Sequence, residues 1–126
     1  MNIWWHLRQF CILVRETMPD QISLSDAGKQ AMARLIAALP ADDFSIAGAE
    51  GQAIYHEACG NPADALRWRQ AHLERLHRLH QTLDEDDYSE KLRAALLEYC
   101  DEEAIAVCLQ AIQRLETAIG AADKPR

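Results

Sequence analysis

Hydrophobic positions recur along this chain at three- and four-residue steps, the period of an amphipathic helix rather than of a strand. The stretch from Asn61 to Leu83, NPADALRWRQAHLERLHRLHQTL, carries the pattern furthest. Leu66, Leu73, Leu76 and Leu83, flanked by Ala65 and Leu79, make one apolar stripe, and Arg67, Glu74, Arg75 and Arg78 fall on the other side. Asn61 can cap the first turn, and Pro62 at the first helical position has no N–H to leave unpaired. The spacing predicts one long helix whose stripe needs covering.

The rest of the chain supplies the cover. Ile3 to Met18 reads as a helix with Ile3, Leu7, Phe10, Val14 and Met18 on one face, widened by Trp4 and Cys11. Trp5 and Ile12, seven apart, lie roughly opposite, so this helix has two apolar faces to account for: the domain's own core and either a loop or a second surface. Pro19-Asp20 breaks it. Ser23 or Ser25 opens a second helix through Leu39, with Ala31, Met32, Leu35 and Leu39 inward and Pro40 as its stop. Asp42, Asp43 and Ser45 are the candidate caps of a third, which runs to about Cys59. Its side is small throughout: Ala47, Gly48, Ala49, Gly51 and Ala53. Two helical glycines cost roughly 1 kcal/mol each relative to alanine, and close approach by a neighbouring helix is the expected compensation. After the acidic turn Asp84–Asp87, a helix from about Tyr88 to Cys100 turns Leu92, Ala95, Leu96 and Tyr99 inward. Asp101 caps a last helix, Glu102 to Ile119, with Ile105, Cys108, Leu109, Ile112, Leu115 and Ile119 as its stripe. Gly120 ends it, leaving 121–126 as a frayed tail. The sum is an all-α fold of about six antiparallel helices joined by short turns, in a single domain over 1–120.

Composition narrows the function classes. A chain of 126 residues with 49% hydrophobic and 26% charged positions has the balance of a globular domain, not of a disordered one. Its net charge of −7 opposes approach to phosphates, which makes nucleic acid an unfavourable partner unless arginines gather on one face. Cys11, Cys59, Cys100 and Cys108 are widely spaced, without a Cys-x-x-Cys, in a chain with leucines enough to fold without staples. They read as reduced, mostly buried thiols of a cytoplasmic protein. The longest unbroken apolar run of the N-terminal segment, Phe10 to Val14, is too short to span a membrane or direct export.

Gly60-Asn61-Pro62-Ala63-Asp64-Ala65-Leu66 resembles the turn of a tetratricopeptide repeat. Gly60 and Ala65 have the family's glycine-to-small-residue spacing, and Ala53 stands where its first helix prefers a small residue. Gln52 and His72 depart from the pattern. A weaker echo lies at Asp101-Glu102-Glu103-Ala104-Ile105, with its alanine 39 residues after Ala65, longer than the family's usual repeat. Over roughly 47–119 the resemblance implies stacked helical hairpins whose concave surface binds a peptide or helix, without catalysis. A closed helical bundle is the competing architecture.

Several residues invite a chemical reading. Glu74-Arg75-Leu76-His77 has the Glu-x-x-His spacing of di-iron carboxylate bundles, but there is no second copy, and Glu74 lies on the arginine face. His72 and His80 border the apolar stripe two turns apart, too far to share one ion without ligands from elsewhere, such as His56 or Glu57. Arg69 projects near the middle of the leucine stripe, where a charge must be paired or reach water. A carboxylate such as Glu57 is its candidate partner. Arg67, Arg75, Arg78, Lys91 and Arg93 read as a solvated face, since no aromatic interleaving accompanies them. Neither a phosphate loop, a nucleophile elbow nor an EF-hand loop is present.

The expected protein is therefore not an enzyme, and it holds no cofactor and no resident metal. It is a small acidic adaptor or chaperone-like module that binds another protein's peptide or helix beside helix 61–83. Trp68, Arg69, His72 and Leu76 are the expected groove contacts, and Trp5 and Ile12 the expected oligomer contact, giving a possible homodimer through the N-terminal helix. The alternatives are a helical bundle binding metal through His72, His77 and His56, and an RNA-binding helical domain.

Overall fold

The computed structural model describes residues 2–18, 21–43, 45–85, 89–97, 100 and 102–123. Among these the regular structure is entirely helical: α1 Ile3–Thr17, α2 Asp26–Ala37, α3 Ile46–Ala58, α4 Pro62–Glu85, α5 Glu90–Leu97 and α6 Glu102–Asp123. None of these helices is long and apolar enough to cross a membrane.

The helix starts are set by local side chains. Asn2 accepts from the Trp5 N–H at 3.1 Å and opens α1. Ser25, not Ser23, caps α2 by accepting from the Gly28 N–H at 3.1 Å. At α3 two of the three candidate caps act in series. Ser45 Oγ accepts from the Gly48 N–H at 2.9 Å and donates to Asp43 Oδ2 at 2.8 Å. Between α3 and α4, Gly60 adopts φ +79°, the Asn61 N–H reaches the His56 carbonyl at 2.8 Å, and the Gly60 N–H reaches Glu57 at 3.2 Å. This pair of bonds is a Schellman motif, and it requires the left-handed conformation that glycine adopts without strain.

Helix α3 is the centre of the packing, against α4 on one side and α1 and α2 on the other, while α6 lies along α4. Its small face is what permits this. A Cβ added at Gly51 would lie 2.7 Å from Leu7 Cδ1, so the glycine is the seat of a fully buried α1 leucine. Two apolar clusters flank α3. Leu7, Cys11, Val14, Ile22, Met32 and Ile54 form one, and Leu76, Leu83, Cys100, Ala104 and Cys108 the other.

Some inward assignments fail. Trp4, Leu92 and Leu109 are largely exposed, and so is Ala95. The buried line of α6 runs through Ala104, Cys108, Ala111 and Leu115, so small residues face α4 and Leu109 is turned out. Helix α5 is short and its main packing partner is α4, and Leu92 is left exposed. Helix α6 also continues through Gly120 to Asp123 rather than stopping there. The Pro19-Asp20 break, the Asp101 cap, Tyr88, Tyr99, the Asp86-Asp87 end of the acidic turn and 124–126 lie outside the described residues.

Candidate functional site

The buried edge of α4 reads Ala65, Arg69, His72, Leu76 and Leu83, at steps of four, three, four and seven residues, so two polar side chains occupy core positions. What faces them is Glu50, the one charged residue on the small face of α3, itself 2% exposed. Arg15 of α1 grips the Glu50 carboxylate in a bidentate pair, with Nε to Oε2 and Nη2 to Oε1 both at 2.7 Å. Arg69 is a looser partner. Its Nη1 lies 3.8 Å from Glu50 Oε2 and 3.5 Å from His72 Nδ1. The Cys108 thiol of α6 donates to the Arg69 carbonyl at 3.3 Å. Arg69 Nε and His72 Nε2 are buried without a hydrogen-bond partner among the described residues.

Burial sets the protonation states here. It works against ionisation of Glu50, but the Arg15 hydrogen bonds and the surrounding positive charge outweigh it, so the carboxyl lies below its ordinary range. Desolvation, reinforced by the arginines and only partly offset by Glu50, lowers His72 to about 4 and leaves it neutral at pH 7. Burial likewise raises the thiols of Cys11, which adjoins Glu50, and of Cys108, the latter to about 11. The cluster is a knot joining α1, α3, α4 and α6. Glu50, Arg69 and His72 are closed off from solvent, and only Arg15 reaches the surface.

That placement changes the reading of three groove residues. Arg69, His72 and Leu76 are 2%, 1% and 0% exposed and belong to the core, so they present nothing to a partner. Arg69 does meet a carboxylate, but it is Glu50; Glu57 pairs instead with Arg114 of α6 at 2.8 and 2.9 Å. Trp68 is half-buried and lines a small cleft of about 170 Å³ with Leu39, Pro40 and Gln52. The histidines do not converge. His77 is exposed, His80 Nδ1 lies 3.7 Å from Asp84, and His56 is half-buried. Among the described residues no three of His, Cys, Asp or Glu are placed to hold a metal ion. Glu74 ion-pairs with Arg78 on the exposed side of α4, as the pattern of that face implies.

The open site lies elsewhere. A cleft of about 430 Å³ is bounded by Asn2, Trp4, Trp5 and Arg8 of the α1 end, Ile46 and Ala47 of α3, Leu79 of α4 and Leu96 of α5. A second, of about 400 Å³, shares Ser45, Ile46 and Leu79 with it and adds Arg75, Arg78 and Thr82. Trp4 is 43% exposed and its Nε1 donates to Asp43 Oδ1 at 3.3 Å, which ties the ring to the start of α3. Trp5, 55% exposed, stands edge-on to the His6 ring with centroids 5.1 Å apart. Arg75 Nη1 donates to the Ser45 carbonyl at 2.8 Å, tying α4 to the same corner. Ile12 is half-buried and outside both clefts, so Trp5 and Ile12 do not share a wall there.

Sequence reasoning missed Glu50 and Arg15. The available signal was a lone carboxylate in Ala47-Gly48-Ala49-Glu50-Gly51, where every neighbour is small enough to be buried. It also took Trp4 for core, whereas the residue is 43% exposed. Comparison of the chain with protein-family models, with curated proteins and with solved structures gives no match.

Proposed function

We propose that this chain is a non-catalytic protein–protein interaction module that holds a peptide or helix in the cleft beside Trp4 and Trp5. One observation carries the reading: two tryptophans, each about half exposed, stand at an apolar cleft walled by Ile46, Leu79 and Leu96. Tryptophan is the residue type most enriched at the energetic centres of interfaces, and clefts of this size with apolar walls are the usual seats of ligands. Covering the two rings removes roughly 200 Å² of apolar surface, a gross gain of about 5 kcal/mol. That is comparable with the cost of association, so the walls must contribute the remainder.

The architecture we favour is a pair of tetratricopeptide-like helices, α3 and α4, with the other helices laid around them. The fully buried Ala53 and Ala65 and the positive φ of Gly60 support it, because these are the residues that carry the family resemblance. A reducing, cytoplasmic setting suits four free thiols of which one, Cys59, is exposed.

The test is native mass spectrometry of the protein purified from its own source, beside a Trp5→Ala variant expressed in the same way. A polypeptide bound to the wild type and lost from a variant of unchanged melting temperature is the expected result. A partner retained by Trp5→Ala, or a bare monomer in both, overturns the reading. A homodimer that the variant dissolves assigns the cleft to a second copy.

A further inference from the structure

We infer that the helix received at Trp5 is α1 of a second copy of this chain, laid antiparallel along α1 about a two-fold axis at Gln9. The inference rests on the interaction-module reading and names the partner. It starts from the outward side of α1. Leu7, Cys11 and Val14 commit the inward side to the core. Opposite them runs a stripe of Trp5, Gln9, Ile12, Leu13 and Glu16, at offsets of four, seven, eight and eleven residues from Trp5. Trp5 is 55% and Leu13 57% exposed, so the chain itself leaves more than half of each uncovered.

A two-fold interface must be self-complementary: where residue i meets j, j meets i. The stripe meets that condition. Trp5 and Leu13 stand four residues to either side of Gln9, so in this register each Trp5 ring lies on the other copy's Leu13. Gln9 meets its own counterpart, and an amide carries both donors and an acceptor, so the two bond each other. Glu16, seven residues from the axis, comes level with Asn2 of the other copy. Helix α1 has no acidic residue in its own first turn, so this carboxylate supplies the negative charge that a helix N-terminus favours. The two Glu16 positions lie about 20 Å apart, beyond the reach of their mutual repulsion at ordinary salt. The cleft joins the interface because Asn2, Trp4 and Trp5 form its rim, and the register carries the last turn of the other α1 across them. The size of the contact sets its strength. Helix α1 has 15 residues and is about 22 Å long. Trp5 and Leu13 offer roughly 200 Å² per copy, and the whole pairing covers on the order of 1,000 Å² over both copies. Standard interfaces begin at roughly 1,200 Å², so this dimer is a reversible one, with a Kd on the order of 10 µM.

The test is sedimentation velocity of the intact chain from about 1 to 300 µM, a range that brackets the expected Kd. The wild type should pass from monomer to dimer. Leu13 is exposed and outside the cleft walls, so Leu13→Glu should keep the wild-type melting temperature and weaken the dimer roughly tenfold or more. The register is read separately, in a Cys59→Ser background that removes the one exposed thiol. There Gln9→Cys should give a covalent dimer with an added oxidant and Glu16→Cys should not, because a disulfide needs Cα atoms within about 7 Å. A chain monomeric throughout the range, a dimer indifferent to Leu13→Glu, or cross-linking at Glu16 in place of Gln9 overturns the second copy. A monomer that still carries a polypeptide lost in Trp5→Ala leaves the interaction module standing with another partner. A bare monomer overturns both.

Discussion

Glu50→Gln isolates the energetics of the buried knot, because it keeps the side chain's shape and removes its charge. The two arginines are left in different positions. Arg15, whose side chain is 24% exposed, can turn its guanidinium toward water. Arg69 cannot: its side chain is 3% exposed, and Nε already lacks a partner among the described residues. Breaking a buried pair by removing one charge typically costs about 3–5 kcal/mol, whereas replacing a buried pair by apolar groups of similar volume is often neutral. The expected loss for Glu50→Gln is therefore about 3 kcal/mol or more, a large share of a domain's usual 5–15 kcal/mol. Arg69→Met should cost much less. It removes the loose 3.8 Å contact and leaves the two 2.7 Å bonds from Arg15 in place. The double variant should recover at least half of the Glu50→Gln loss. Urea titrations followed by circular dichroism, fitted with a shared slope, give all three values. The reasoning fails if Arg69→Met costs as much as Glu50→Gln, or if the double variant shows no coupling.

Three further outcomes follow from the same geometry. His72 drops from 6.5 unfolded to about 4 folded, so the unfolded chain binds more protons between those values. Stability should then rise with pH across that window by about 3 kcal/mol, and the depressed Glu50 adds to the acid end in the same direction; His72→Gln should flatten the slope above pH 5, and a slope unchanged in that variant refutes the assignment. Gly51→Ala gains about 1 kcal/mol of helix propensity but drives its Cβ into fully buried Leu7, for a net destabilisation of about 1–2 kcal/mol that Leu7→Ala should partly relieve in a double-mutant cycle. Of the four thiols only Cys59 is exposed, so native protein should give one fast equivalent with a thiol-specific dye, lost in Cys59→Ser, and four only after unfolding.

Helical character and the long α4 were legible in the sequence, because each is a matter of a fixed period; the caps were narrowed to Ser23 or Ser25 and to Asp42, Asp43 or Ser45, and the structure chose Ser25 and Ser45. So was the small face of α3, since two glycines in a helix call for a close neighbour. That the neighbour is Leu7 could not be read, because it lies 44 positions away from Gly51. The sequence placed a charge in the stripe at Arg69, but not whether the stripe was open or closed. Burial settled that, and turned expected groove contacts into core. Which carboxylate faced which arginine also depended on the rotation of α3: Glu50 and Glu57 lie seven residues apart on similar faces, and docking gives one to Arg15 and Arg69 and the other to Arg114. The open cleft was decided last of all. It takes its walls from four helices, and an exposed wall leaves no period in any one of them. Local periodicity is a property of the chain, whereas a concave surface belongs only to the packed assembly of its helices.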